Sequence, residues 1–440
     1  MQGAFDSFGL VERKSRKASS LDAVMDAFQA RDFDGATFLP FGNGRSYGDS
    51  CHNDAGDLVP MRPLARIGGF DASSGVLEAE PGVLLSEIIA FAAPHGYFLP
   101  VTPGTRFATL GGAIANDVHG KNHHRKGTLG CHVESFDLLR SDGFVRVCSR
   151  AENADLFAAT IGGMGLTGIV LKVRLKLARV GSLDIEERTL PFRSLDEFFD
   201  LADAADAQNE YAVAWVDQLA TGASTGRGLL ITGNHMDNGN FSLRQRQSRL
   251  GVPLELPISA LNTLSLKAFN TAYFHIKGRR SEPHRVGYEG FFYPLDGVSD
   301  WNRLYGPKGL FQHQSVISGE AAPTVIPAML EASRRAGQVS FLTVLKRFGD
   351  VQSPGLLSFP QPGYTLTVDF PNKGRKTLEL LETLDRMTVE AGGRVNPYKD
   401  QRMSAAIFKQ GFPCWPELEK LRDPAFCSNY WRRTALAQPN

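Results

Sequence analysis

Cysteine is scarce in this 440-residue chain and poorly placed for bridging or metal binding. The five residues (Cys51, Cys131, Cys148, Cys414, Cys427) are scattered, odd in number and never form CxxC. That pattern argues against a zinc ribbon or redox pair and for free thiols in a reducing compartment. Excess charge is also missing. The 48 Lys and Arg nearly balance the 47 Asp and Glu, leaving +1, so bulk electrostatics give no case for nucleic acid or an anionic membrane. No apolar run reaches the roughly 20 residues of a membrane span. The basic N-terminal stretch lacks the apolar segment of a secretory signal. Repeats and low-complexity tracts are absent. The expected location is cytoplasmic, with at most peripheral contact with the inner membrane.

A 42% apolar, 22% charged composition is that of a globular chain, and the length suits two domains. "SSLDAVMDAFQAR" predicts a Ser-capped helix, and "GATFLPFG" a short strand. "LLSEIIAFAAPHG" predicts an amphipathic helix ended by Pro94 and Gly96. "HVESFDLLRSDGFVRVCSR" predicts a hairpin turning at Ser141-Asp142-Gly143. The strand predicted over 169–177 alternates Val173 and Leu175 with Lys172, Arg174 and Lys176. Glycine-rich motifs stop near residue 181 and resume with "GGRVNPYKDQR", so a first domain completed by the C-terminus is expected.

Gly42, Gly44 and Gly48 follow the first strand in "FGNGRSYGDS". The spacing is GxGxxxG, and the turn-rich "DSCHNDAGD" after it cannot begin an amphipathic helix, which disfavours a Rossmann loop. No GK[ST] follows, so a Walker loop fails too. Two readings remain: a nest of backbone N–H groups for an anion, helped by Arg45, or an ordinary glycine-rich connection. "TPGTRFATLGGAIANDVHG" and "GGMGLTGIV" repeat the theme. Three separated glycine-rich segments suit a long ligand clamped along its length, and FAD is such a ligand.

Eight motifs, in order along nearly the whole chain, carry a resemblance: "GNGRSYGD", "VTPGTRFATLGGAIANDVHGKNHH", "HVESFDLLRSDG", "GGMGLTGIV", "WNRLYGPKGLFQHQ", "VLKRFG", "LLSFPQPGY" and "YKDQR". The chain resembles the vanillyl-alcohol-oxidase superfamily, and more closely the decaprenylphosphoryl-β-D-ribose 2′-oxidase family. The resemblance implies an α+β, two-domain FAD-binding fold. Residues 1–181 and 394–440 would form a discontinuous FAD domain, and 182–393 an inserted substrate domain on an antiparallel sheet. It implies FAD contacts from Phe41, Gly42, Asn43, Gly44, Arg45, Ser46, Tyr47 and Gly48 in the first segment. Pro103, Gly104, Thr105, Thr109, Leu110, Gly111, Gly112, Asn116 and His119 follow in the second. Gly168, Ile169, Tyr398 and Lys399 complete the set. Relatives that hold FAD covalently carry His where this chain has Arg45, and no cysteine stands in the His119 region, so non-covalent FAD is expected.

The resemblance assigns Lys399, His119 and Tyr47 to catalysis and Lys121, Gln312, Gln314, Lys346, Thr365 and Thr367 to the substrate pocket. By spacing alone, His119 and His123 could ligate a metal, but no HExxH glutamate accompanies them and Gly120 weakens a helix there. A solvated basic loop is the other reading, and no metal is assigned. Lys399 could offset negative charge on the reduced flavin, act as a base, or simply pair with Asp400 at the surface. The pocket departs from the mycobacterial pattern: Thr365 and Thr367 replace Asn and Cys, Phe292 replaces Tyr, and Asn396-Pro397 replaces "YT". The implied activity is FAD-dependent oxidation of a sugar hydroxyl by hydride transfer to flavin N5. The most specific expectation is the 2′-hydroxyl of a polyprenyl-phosphoryl-β-D-ribose, giving a 2-keto sugar that a short-chain dehydrogenase/reductase then consumes on the way to arabinose. The alternatives are a soluble alditol or sugar-lactone oxidase, and a flavin-binding module without turnover.

Overall fold

The computed structural model describes residues 5–33, 35–243, 250–253, 255, 257, 259 and 261–438. Ser20 accepts from Ala23 N and caps helix Leu21–Ala30, whose Val24 and Phe28 turn inward. Helix Leu85–Ala92 buries Leu85, Ile88, Ile89 and Ala92, the spacing of one helical face. Gly96, at φ +80°, ends the following turn. The hairpin pairs Val133–Leu139 with Val145–Ser149, and Gly143 supplies φ +82° at its turn. The strand predicted over 169–177 is Ile169–Lys176, with Val173 and Leu175 fully buried.

Strands are gathered mainly in two antiparallel sheets. The five-stranded sheet has the order Ile67–Asp71, Val76–Ala79, Ile169–Lys176, Val133–Leu139, Val145–Ser149. The eight-stranded sheet draws on strands between Asp184 and Val395, with Tyr211–Val216, Thr343–Phe348, Gly363–Pro371 and Leu310–Ile317 adjacent in that order. Its last strand, Arg394–Val395, pairs with Leu310–Ile317. A separate parallel pair, Phe38–Phe41 with Asp57–Pro60, carries the first glycine loop.

Register decides what the eight-stranded sheet shows to each side. Gln312 lies opposite Asp369, Gln314 opposite Thr367, Val344 opposite Thr367, and Lys346 opposite Thr365. Residues directly opposite share a face. One face therefore carries Gln312, Gln314, Val344, Lys346, Thr365, Thr367 and Asp369. The other presents Phe311, Leu345, Leu366, Val368 and Phe370 to a core shared with helices Leu195–Gln208, Ala322–Arg335 and Arg375–Glu390. No helix among the described residues is long and apolar enough to cross a membrane.

Candidate active site

The polar sheet face forms one wall of a cavity of about 1340 Å³. The same cavity is lined by the first glycine loop, from Phe41 through Tyr47, and by the second segment: Pro103, Gly104, Thr105, Thr109, Gly111, Gly112, Asn116, His119 and Lys121. Gly168, Tyr398 and Lys399 complete the lining, and Gln312, Gln314, Lys346 and Thr367 line the sheet wall. Four expected residues stand behind the lining. Leu110 and Ile169 are fully buried in apolar clusters. Thr365 is buried and accepts from Gln314 Nε2 at 3.1 Å. Gly48 packs on the C-terminal segment, where a Cβ would come within 1.6 Å of Asp400 O.

Side chains and backbone bind the segments together. Asn43 Nδ2 donates to Phe107 O at 2.7 Å, joining the first loop to the second. Asn116 Nδ2 reaches Ser46 Oγ at 3.4 Å, and Tyr47 N donates to Tyr398 O at 3.1 Å. Gly42 faces Thr109 so closely that a Cβ would come within 2.5 Å of Oγ1. The "HGKNHH" loop is not solvated. Asn122 and His123 are buried, and His123 packs on the Phe348 ring at 4.4 Å. Among the described residues no three His, Cys, Asp or Glu side chains converge as a metal site.

The charged groups are unusual. Lys121, Lys346 and Lys399 all face the cavity, with no carboxylate bonded to them among the described residues. Burial, reinforced by Lys121 and Lys399, brings the Lys346 amine down to about 7. Burial brings Lys399 down to about 8, opposed by Asp369. Burial also brings Lys121 down to about 8, while its amine bonds Phe291 O. The Lys399 amine sits 4.3 Å over the Tyr47 ring, and Asp400 bonds Arg433 instead. The surface-pair reading of Lys399 therefore does not hold. Burial holds His119 well below its usual range, so the imidazole is neutral.

His119 is held at both ring nitrogens. Gln314 Nε2 lies 3.1 Å from Nε2, and Lys346 Nζ lies 3.3 Å from Nδ1. Asn396 fixes the Gln314 amide by donating to its Oε1 at 2.9 Å. Gln314 then donates to His119 Nε2, which leaves the imidazole proton on Nδ1, on the side of the Lys346 amine.

Sequence reasoning missed Asp369. It accepts from Gln312 Nε2 at 2.6 Å, its Oδ2 has no partner among the described residues, and burial raises it to about 7. The signal was the two-residue step Thr365, Thr367, Asp369 within "YTLTVDF", which puts all three on one strand face. It also missed Asp117, which is fully buried and accepts from Gly130 N, Ser353 Oγ and Ser358 Oγ. Asp117 thereby clamps the chain two residues before His119.

Arg45 provides the cofactor test. Its guanidinium makes no hydrogen bond or ion pair among the described residues, and lies 5.8 and 5.5 Å over the Phe8 and Phe107 rings. Arg45 is exposed at the mouth of the lined cavity, with Asp296 and Asp300 acting on it only at long range. A cation free of a bonded carboxylate beside a glycine loop fits the anionic part of FAD.

The comparisons agree with that fit. Residues 16–149 match the FAD binding domain family, and the chain is an FAD-dependent oxidoreductase acting on CH–OH groups. It is 35% identical over 434 residues to the decaprenylphosphoryl-β-D-ribose oxidase of Mycolicibacterium smegmatis, covering 93% of this chain and 91% of that protein. An uncharacterised protein of the mprA 5′ region of Streptomyces coelicolor is 32% identical over 80% of this chain and all of its own length. Mouse L-gulonolactone oxidase is 29% identical over 170 residues, 39% of this chain and 38% of its own. The chain belongs to the decaprenylphosphoryl-β-D-ribose oxidase family, within the vanillyl-alcohol-oxidase superfamily.

Proposed function

We propose that the protein oxidises the 2′-hydroxyl of a polyprenyl-phosphoryl-β-D-ribose to the 2-keto sugar. Residues 1–181 and 394–440 would hold FAD and 182–393 would hold substrate. The observation that carries this reading is the convergence of Lys121, Lys346 and Lys399, none ion-paired among the described residues, on one cavity beside the glycine loop. Three lysines with no carboxylate bonded to them among the described residues suit a phosphate-bearing sugar better than a neutral alditol. The name of the Mycolicibacterium relative supports the same substrate class.

Bound FAD supplies a hydride acceptor at N5. Arg45 and the backbone of residues 42–47 would neutralise the cofactor's anionic part. Lys399, at about 8, is mostly a cation at neutral pH with a neutral fraction in exchange. It can therefore hold positive charge beside the flavin or take the hydroxyl proton. His119 is locked between Gln314 and Lys346 and orients the sugar. Gln312 and Thr367 offer polar contacts from the sheet wall. The keto product is substrate for a reductase of the short-chain type.

Anaerobic bleaching tests the reading across polyprenyl-phosphoryl pentoses, free sugars and alditols. Bleaching by the ribose lipid first is expected. Bleaching by free alditols alone would replace it with an alditol oxidase, and yellow protein that nothing bleaches would leave a binding module.

A further inference from the structure

Helix Thr263–Lys277 carries apolar residues on both sides. Leu266 and Asn270 are buried on its inner face, with Tyr273 and Lys277 half-buried beside them. Its outer side places Leu264, Ala268, Ala272 and Ile276 at four-residue steps, one ridge along the helix. Leu264 is 80% exposed, Ile276 65% and the flanking Phe269 44%. These are three of the eight large apolar side chains left exposed among the described residues. A soluble surface does not ordinarily gather them on one helix.

The charged side chains of the helix and of the turn after it have one sign. From 256 to 281 the sequence holds no Asp or Glu, but holds Lys267, Lys277, Arg279, Arg280 and His275. Lys277 pairs with Glu187. Lys267, Arg279 and Arg280 are exposed and have no ion pair among the described residues. A formal net charge of +1 for the whole chain conceals this local cluster.

The helix also adjoins the cavity. Phe269 stacks with Tyr273 at 5.8 Å and meets Phe341 at 5.5 Å, and Tyr273 meets Trp215 at 4.9 Å. Tyr273, Trp215, Leu342 and Val344 line the cavity wall. An apolar track thus runs from the exposed ridge into the site.

We propose that this helix face docks the protein on an anionic lipid bilayer, with the ridge in the acyl boundary and the cations against the headgroups. The purpose rests on the lipid-linked substrate reading, since docking would let a polyprenyl tail remain in the membrane while its sugar enters the cavity. The binding itself is measurable without substrate.

The test is co-sedimentation of the full-length, FAD-loaded protein with phosphatidylglycerol–phosphatidylcholine vesicles and with phosphatidylcholine vesicles. Wild type is expected to partition onto the anionic vesicles and to leave them at high salt. Leu264→Asp with Ile276→Asp is expected to lower partitioning at least about 30-fold. Neutralising Lys267, Arg279 and Arg280 with Gln is expected to cost about fivefold per charge at low salt. Phe144→Asp, in the exposed hairpin of the five-stranded sheet, is the control and leaves partitioning unchanged. Anaerobic bleaching by a short-chain soluble substrate stays at wild-type rate in every variant. Wild-type protein remaining in the supernatant would overturn the proposal, as would undiminished binding by the ridge variant. So would self-association that the ridge variant abolishes, because the face would then belong to a second copy. Lost vesicle binding with normal bleaching by polyprenyl-phosphoryl ribose overturns docking alone. Vesicle binding without such bleaching overturns the substrate reading alone.

Discussion

Lys346→Met should make the protein more stable and less active, and the stability gain should depend on pH. Lys346 Nζ lies 3.3 Å from His119 Nδ1 on the cavity wall. Burial first, then Lys121 and Lys399, lower its pKa from 10.5 to about 7. That drop bounds the cost of the buried ammonium at about 5 kcal/mol. The side chain is half-buried on the wall of a large cavity, so about 2–3 kcal/mol is the working figure. The sign follows from proton counts. Between about pH 7 and 10.5 the unfolded chain holds a proton that the folded one does not, so wild-type stability rises with pH across that window. Below about pH 7 both states are protonated and the penalty is complete. Met carries no such penalty and fills a similar volume. Urea unfolding at fixed, saturating FAD should therefore show the variant ahead by about 2 kcal/mol at pH 6.5 and by about half that at pH 9. Flavin reduction by substrate should fall at least about tenfold, because His119 loses its Nδ1 partner. A variant no more stable than wild type at pH 6.5, or a gap that ignores pH, would refute the reasoning.

Lys399→Ala should retain the yellow, folded protein while slowing anaerobic flavin reduction by about 100-fold or more; near-normal reduction would remove its assigned role. Acid precipitation should release all flavin into the supernatant, since Arg45 stands where covalent relatives hold His; a yellow pellet would contradict this. Gly48→Ala would bring a Cβ within 1.6 Å of Asp400 O, so the melting temperature should fall by several degrees and FAD affinity with it, through the Tyr47–Tyr398 backbone bond. Unchanged melting would mean the C-terminal segment adapts.

The half of the site made by loops was legible because backbone demands leave marks in sequence. The missing helix after Gly48 disfavoured a Rossmann loop, and in the structure only a three-residue turn, Asp49–Cys51, follows. Thr109 before a run of small residues marked the cap of Leu110–Ala115, where Thr109 accepts from Gly112 N. The sheet wall was much less legible. Strands Leu310–Ile317 and Gly363–Pro371 are buried along their whole length. Their alternation separates an apolar core face from a polar cavity face, not from solvent. Gln312 and Gln314 on these strands therefore carry no mark in the sequence beyond the family resemblance, Asp369 carries only its two-residue step from Thr367, and Lys346 sits on the neighbouring Thr343–Phe348. By sequence alone, Lys399 beside Asp400 reads equally as a surface ion pair. Arg433 and Arg402, distant in sequence or hidden in the same motif, take that carboxylate in the fold.

The most direct test of the central claim is a kinetic isotope effect on anaerobic flavin bleaching by polyprenyl-phosphoryl ribose. Deuterium at C2 of the ribose should slow bleaching with a primary effect, while deuterium at C3 should leave the rate unchanged. An effect at C3 with none at C2 would place oxidation at another hydroxyl. No bleaching by either lipid would contradict the assigned substrate.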